Sequence, residues 1–324
     1  MKKTFIRDIK AGDFVDDVFV LAEKNLSRKK DGNAYLSLTA ADKTGMLKGV
    51  MWDNLDRFGE ESCSGDFVRI TGNVTEYRGS LQLVVKSASI LKSEEVDPVD
   101  FLPATERDVE GMFNRLVQLM ETLRTPHLKS LIQAFFTDED FVKRFKSAPA
   151  AKQMHHAYLG GLLEHTLSMA LLVEKIAGHY GGIDRDMLLT GAVLHDIGKI
   201  REFEYEVKID YSDEGRFLSH IVIGALMVRE KIQTLPEFPK EAHDLILHMV
   251  VSHHGTREFG SPEPPKTIEA VLLNYVDEID AKVNGIREFV ESEGSGENWT
   301  AYHRMLGRHF YTGTLNGKQK SSCS

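Results

Sequence analysis

Near residue 100 the spacing of apolar side chains changes period, and this limits the chain to a two-part architecture. Before that point apolar residues alternate, the pattern of strands with one buried face; beyond it they recur every three or four residues, the pattern of amphipathic helices. Runs at 14–23 (FVDDVFVLAE), 34–40 (AYLSLTA), 46–52 (MLKGVMW), 67–75 (FVRITGNVT) and 81–90 (LQLVVKSASI) are rich in β-branched and aromatic residues. Turn signals at Lys30-Asp31-Gly32-Asn33, Lys43-Thr44-Gly45 and Arg78-Gly79-Ser80 separate them. A short helix fits 54–61. Five strands with a helix after the third is the element order of an OB-fold, which sets residues 1–91 as an all-β domain.

Residues 92–104 (KSEEVDPVDFLPA) carry two prolines and several acids and read as a linker. A helix is expected to start at Thr105, which stands three residues before Asp108 in a capping pattern. Helical spacing then runs through 112–123, 128–136, 159–176, 187–195, 221–232, 242–251 and 268–290. Gly181-Gly182 closes one of these helices, and the glycines at 294 and 296 interrupt the chain before a short helix expected at 299–310. The expected organisation is an all-α domain over 105–312 and a disordered tail at 313–324. The fold class is thus multidomain, β-barrel followed by helical domain.

Charge follows the same division. The chain carries −9 overall, but residues 1–92 are +2 and the remainder −11. A mildly basic barrel beside an acidic helical domain suits a strand holder joined to a domain that meets phosphate through bound cations. The two cysteines, Cys63 and Cys323, provide neither a disulfide framework nor a thiolate zinc site. No run of about 18 apolar residues is present and no secretory signal opens the chain, so a cytoplasmic protein without membrane partners is expected.

Histidine carries the chemistry. Of 13 in the chain, His155-His156, His165, His195, His220, His248 and His253-His254 cluster in the helical part. Imidazole with carboxylate suits divalent transition metals. A lone histidine on a helix is ordinarily a core or surface residue; the grouping argues otherwise here. His195 and Asp196 are adjacent, so their side chains can converge only where the helix ends, and Gly198 is expected to supply the turn. Asp277 stands in an apolar helix face (LLNYVDEID), where a carboxylate needs a cation or a strong donor. An interhelical ion pair is the alternative reading of Asp277.

The order His165, His195-Asp196, Asp277 resembles the H…HD…D signature of HD-domain phosphohydrolases, over roughly residues 150–290. That resemblance implies one metal held by His165, His195, Asp196 and Asp277. It implies a second, bridged by Asp196 and held by His220 with His253 or His254, of which His253 is favoured. The runs HHAYLGGLLEHTL, LHDIGK, LSHIVIG, SHHG and GSPEPP, behind an N-terminal OB-fold, are similar to segments of the YhaM-type 3′→5′ exoribonucleases. The cofactors implied are two divalent ions drawn from Mn, Fe, Co or Mg. Such a pair can activate water and clamp a phosphate. Lys199, one turn beyond the His-Asp pair, is placed to meet a phosphate oxygen or else to cap the helix. His156 is a candidate proton donor to a leaving group, with His155 as its alternative. For strand binding the candidates are Tyr35, Trp52 and Tyr77 with Arg28, Lys48 and Arg69, alongside Lys29, Lys30 and Arg78. Aromatic stacking and a basic groove are what a single strand requires, although strand aromatics often belong to the core.

The expected function is 3′→5′ hydrolysis of single-stranded RNA or DNA, and a homo-oligomer is compatible with it. Three alternatives stand beside it. One is a phosphodiesterase or nucleotidase for small nucleotides or cyclic dinucleotides, with the OB-fold as regulator. Another is a nucleic-acid-binding protein with a structural metal. The third is a di-iron oxygenase, for which a strand-binding module has no use.

Overall fold

The computed structural model describes residues 2–28, 34–53, 55–77, 79–92, 95–152, 156–206, 208–292 and 298–312. Lys29, Lys30, Arg78, His155 and the tail after Thr312 lie outside the described residues. Two compact units are present: Met1–Ala104 with Glu204–Asp210, and Thr105–Phe203 with Tyr211–Ser324.

In the first unit β1 (Phe14–Arg28), β2 (Ala34–Asp42), β3 (Gly45–Met51), β4 (Phe67–Tyr77) and β5 (Ser80–Leu91) form a closed barrel in the order β1-β2-β3-β5-β4. The only parallel pairing among these described strands is β3 with β5, and helix α1 (Leu55–Glu61) follows β3. Alternation places Phe19, Leu21, Leu36, Leu38, Ile70 and Leu83 inside. Closure leaves no long unpaired strand edge among the described residues. β1 runs five residues past the apolar run that announces it, because residues through Arg28 pair with β2 (Arg28 opposite Ala34). A register shift between Leu21 and Glu23 bends β1 toward both neighbours. The stretch read as a linker is in part structured: a 3₁₀ turn at Pro98–Asp100 leads to Phe101, whose ring meets Phe67 edge-on at 4.9 Å beside Val20.

The second unit is helical: α2 (Val109–Glu121), α3 (Pro126–Phe136), α4 (Glu139–Ser147), α5 (Gly161–Ala177), α6 (Arg185–Leu194), α7 (Lys199–Glu202), α8 (Asp213–Gln233), α9 (Lys240–Ser252) and α10 (Ile268–Ser292). α5 is central, packed by α2, α4, α6 and α10, and its first turns are buried on every side. Three helix starts follow the capping rule: Asp138, Asp184 and Ser212 accept from backbone N–H groups of α4, α6 and α8. Thr105 does not start a helix. Asp108 occupies the N-cap of α2, and Thr105 instead donates through Oγ1 to Glu164 at 2.7 Å. The helix expected at 299–310 is absent as well. Residues 298–312 form a small hairpin held by bridges Trp299–Tyr311 and His303–Arg308. No described helix is long and apolar enough to cross a membrane.

Candidate metal centre and strand-binding face

Five helices, α5, α6, α8, α9 and α10, bring the ligand candidates together. His165 projects from the buried start of α5, and Asp277 from α10. His195 caps the C-terminus of α6, so the chain turns at Asp196 and both side chains reach one point. His165 Nε2 lies 3.2 Å from His195 Nε2, 3.6 Å from Asp196 Oδ2 and 3.4 Å from Asp277 Oδ1; His195 Nε2 lies 3.4 Å from Asp196 Oδ2. Ligands about 2.0–2.2 Å from a divalent ion stand about 3.0–3.6 Å from one another; these four separations fall in that range, and His195 Nε2 to Asp277 Oδ1, at 4.0 Å, lies just beyond it.

The other oxygen of Asp196 faces a second group. Oδ1 is 3.5 Å from His220 Nε2 and 3.5 Å from His253 Nε2. All three atoms are buried without a hydrogen-bond partner among the described residues. Buried polar atoms left unsatisfied cost about 1–3 kcal/mol each, and three aimed at one point are explained by a cation. His254 joins them: one ring nitrogen each from His220, His253 and His254 lies within 4.8 Å of the others.

Every imidazole in the two groups is anchored through Nδ1, leaving Nε2 for a metal. His165 Nδ1 meets Asp280 Oδ2 at 2.8 Å and His220 Nδ1 meets Glu202 Oε1 at 3.0 Å. His195, His253 and His254 donate to the carbonyls of Ala192, Val250 and Phe259. This is the support that metal-bound histidines characteristically have. The residues therefore fit divalent metal binding.

Charge tells the same story. Burial disfavours charge on Asp196, but Lys199 and the neighbouring imidazoles outweigh it and hold its carboxyl well below the usual range. Asp277 is likewise held low, against burial, by His165 and His195. His165 is pushed up to about 9: burial opposes the charge, but Asp277 and Asp280 prevail. Both its nitrogens then donate, Nδ1 to Asp280 and Nε2 toward Asp277. His254 is pulled down to about 4 by burial and the neighbouring His253, which leaves its lone pair free.

Local backbone explains how the ligands arrive. Gly198 does not supply a left-handed turn, for its φ is −61°. Its role is close approach: a Cβ there would fall 2.0 Å from the His220 carbonyl oxygen and 2.6 Å from the Gly224 nitrogen. Only glycine lets α8 come near enough for His220 to face Asp196. α8 is itself broken at Ser219 (φ 59°, ψ 159°), and the break presents the His220 N–H and ring to Glu202. Gly255, at φ +80°, turns the chain after the histidine doublet against Asn274, which donates to the His253 carbonyl at 2.7 Å.

Lys199 Nζ lies 2.5 Å from Asp196 Oδ2. Burial works against its charge, yet Asp196 raises it, so the ammonium persists. His156 is brought near but not to the ligand atoms: buried, it meets Asp280 Oδ2 at 3.4 Å and the Tyr158 hydroxyl at 2.8 Å. The sequence pattern alone did not single out Asp280, Glu202 or Asn274. Asp280 follows Asp277 by one helical turn, a signal present in VDEID; Glu202 and Asn274 carry none.

On the barrel, Tyr35, Ser37 and Thr39 of β2 share an outer face with Lys48 and Val50 of β3. Just past β3, the Trp52 ring lies 5.1 Å from that of Tyr35 and is 40% exposed, so it is a surface ring. Lys24, Asn25, Ser37, Thr39, Lys48 and Gln82 border a 620 Å³ cleft on this side. Arg28 lies one residue from the Ser27–Tyr35 pair, and exposed Tyr77 at the tip of the β4–β5 hairpin. Arg69 is not brought together with these. It sits on β4 beside β1, tied to Asp16 at 2.8 Å.

Comparison with known proteins agrees with both halves. Residues 162–282 match the HD domain model, and residues 23–91 match the model described as OB-fold nucleic acid binding domain. Among solved structures, the second OB-fold domain of replication protein A from Methanococcus maripaludis covers 28% of this chain and 94% of its own, at 23% identity and TM-score 0.22. The mitochondrial single-stranded DNA binding protein Rim1 of S. cerevisiae covers 26% and 97%, at 18% identity and TM-score 0.23. The 3′-5′ exoribonuclease YhaM of Bacillus subtilis (strain 168) is 30% identical over 308 residues, which span 94% of this chain and 96% of that protein. With a single alignment that spans nearly all of both chains, this chain belongs to the YhaM family of HD-domain hydrolases.

Proposed function

We propose that the protein is a two-metal 3′→5′ exonuclease acting on single-stranded RNA, with DNA strands as a secondary substrate. The observation that carries the two-metal reading is Asp196, whose two oxygens face separate ligand groups: His165, His195 and Asp277 on one side, His220, His253 and His254 on the other. The name of the Bacillus subtilis relative supports the polarity and the choice of RNA. Divalent ions held there would supply a deprotonated water at neutral pH and neutralise phosphate charge. Lys199, buried and charged beside Asp196, adds a cation for a phosphate oxygen. Asp280 and Glu202 fix the tilt of His165 and His220. For His156, its contact with Asp280 favours a buttressing role over direct proton donation. The outer barrel face around Tyr35, Trp52 and Lys48 offers stacking and a cation for the strand.

The test is incubation of metal-reconstituted protein with RNA labelled at its 5′ end. The labelled strand should shorten progressively while mononucleotides accumulate. Hydrolysis of small phosphodiesters or cyclic dinucleotides with the labelled strand left intact would favour the phosphodiesterase reading instead.

A further inference from the structure

The hairpin at residues 298–312 is unlike the rest of its unit. The chain beyond residue 92 carries −11, yet this segment (NWTAYHRMLGRHFYT) has no acidic residue and two arginines. Arg304 and Arg308 are exposed and make no ion pair among the described residues. Trp299, Tyr302 and Tyr311 are each about half exposed. Large rings left in water next to unneutralised guanidinium groups call for a partner.

The rings are also held ready. Trp299 and Tyr311 face each other across an antiparallel bridge, with centroids 5.2 Å apart. Tyr302 leans on His309 at 5.3 Å, and the His309 ring is fixed by its contact with the Thr300 carbonyl at 2.9 Å. Backbone bonds from Thr300 to Phe310, His303 to Arg308 and Thr312 to Asn298 lock the loop. It is seated on α10 through Phe289, whose ring meets His303 at 4.5 Å. Phe289 lies about 18 Å along that helix from Asp277. A strand whose end is at the metal ligands is thus within reach of the hairpin.

We propose that this hairpin is a second contact for single-stranded RNA, carried by the helical unit itself: Trp299, Tyr302 and Tyr311 stack bases, and Arg304 and Arg308 meet phosphates. The inference rests on the strand-degrading function proposed above. Preformed aromatic pairs with interleaved arginines are the chemistry that holds a strand without reading its sequence. A second copy of this chain is the competing occupant, and charge argues against it, because a like hairpin would bring arginine to arginine.

The experiment uses the intact chain with chelator present, so that a fluorescent single-stranded RNA is bound and not cut. Arg304→Gln with Arg308→Gln should weaken binding and flatten its salt dependence by about 0.7 in log–log slope for each phosphate no longer neutralised. Tyr302→Ala should weaken it by roughly fivefold or more if the ring stacks a base. Arg304→Gln alone breaks no bond within the hairpin and guards against misfolding as the cause. With metal restored, each variant should hydrolyse a small chromogenic phosphodiester at the wild-type rate. Unchanged RNA affinity and salt slope in these variants would overturn the proposal and leave the nuclease reading intact. A shift in sedimentation coefficient without a change in RNA binding would overturn it in favour of a contact between copies. Failure of the wild-type chain to bind single strands at all would overturn both.

Discussion

At the residue scale, the candidate metal centre leaves Asp196 Oδ1, His220 Nε2 and His253 Nε2 buried and facing one another without a hydrogen-bond partner among the described residues. Among the described residues Asp196 is the one side chain that faces both ligand groups, so Asp196→Ala should lower hydrolysis by about 10³-fold or more while the helical unit stays folded. A folded variant that keeps substantial activity would contradict the mechanism; circular dichroism alongside the rate distinguishes the cases. Asp280→Asn should act more gently, by about 10–100-fold in metal affinity, since it orients His165 from behind, alongside its contact with His156. The proton on His165 makes a further prediction. Its pKa is raised from 6.5 to about 9 in the metal-free chain, so its charged form stabilises the fold below pH ~6.5, and that contribution fades as pH climbs through about 9. An ion must displace this proton, so metal affinity should rise over the same window. Thermal melts with chelator and with metal should therefore diverge between pH ~6.5 and ~9. A constant gap across that window would mean that His165 does not exchange its proton for metal.

At the scale of elements, the close approach of the Gly198 turn to α8 sets the second ligand group. Gly198→Ala should push the His220 backbone away, cost about 1–3 kcal/mol of stability and weaken the second ion more than the first. Equal loss of both ions, read by titration of metal into the chelated variant, would show a general collapse. The sequence displays why some elements were legible and others not. The barrel strands and long helices follow from alternation and helical spacing, which burial enforces along their whole length. The full ligand set is implied by the resemblance to HD-domain phosphohydrolases; from the residues alone, only the adjacent His195 and Asp196 point to a helix end. What periodicity cannot show is contact between distant segments. Gly198 reads as a turn residue until the His220 carbonyl is seen against it. Thr105 has a capping pattern, but its hydroxyl is taken by Glu164, fifty-nine residues on. α4 has only two buried apolar positions, Phe141 and Phe145, too few to stand out from its charges. The hairpin at 298–312 carries aromatic spacing that mimics a helix, and bridges between Trp299 and Tyr311 and between His303 and Arg308 decide otherwise.

At the scale of the whole molecule, the proposed function assigns strand binding to the mildly basic barrel and cutting to the acidic helical unit. Trp52→Ala, or Tyr35→Ala, in the intact chain should weaken single-strand binding by about 1–3 kcal/mol while leaving turnover of a small phosphodiester unchanged. If the variant instead melts earlier and binds as before, the ring serves the barrel and not the strand. The proposed mechanism requires two ions, so metal content tests it most directly. Elemental analysis of reconstituted protein should give close to two divalent ions per chain, and His220→Ala should give one with hydrolysis lost. One ion per wild-type chain, with His220→Ala fully active, would contradict the dinuclear centre.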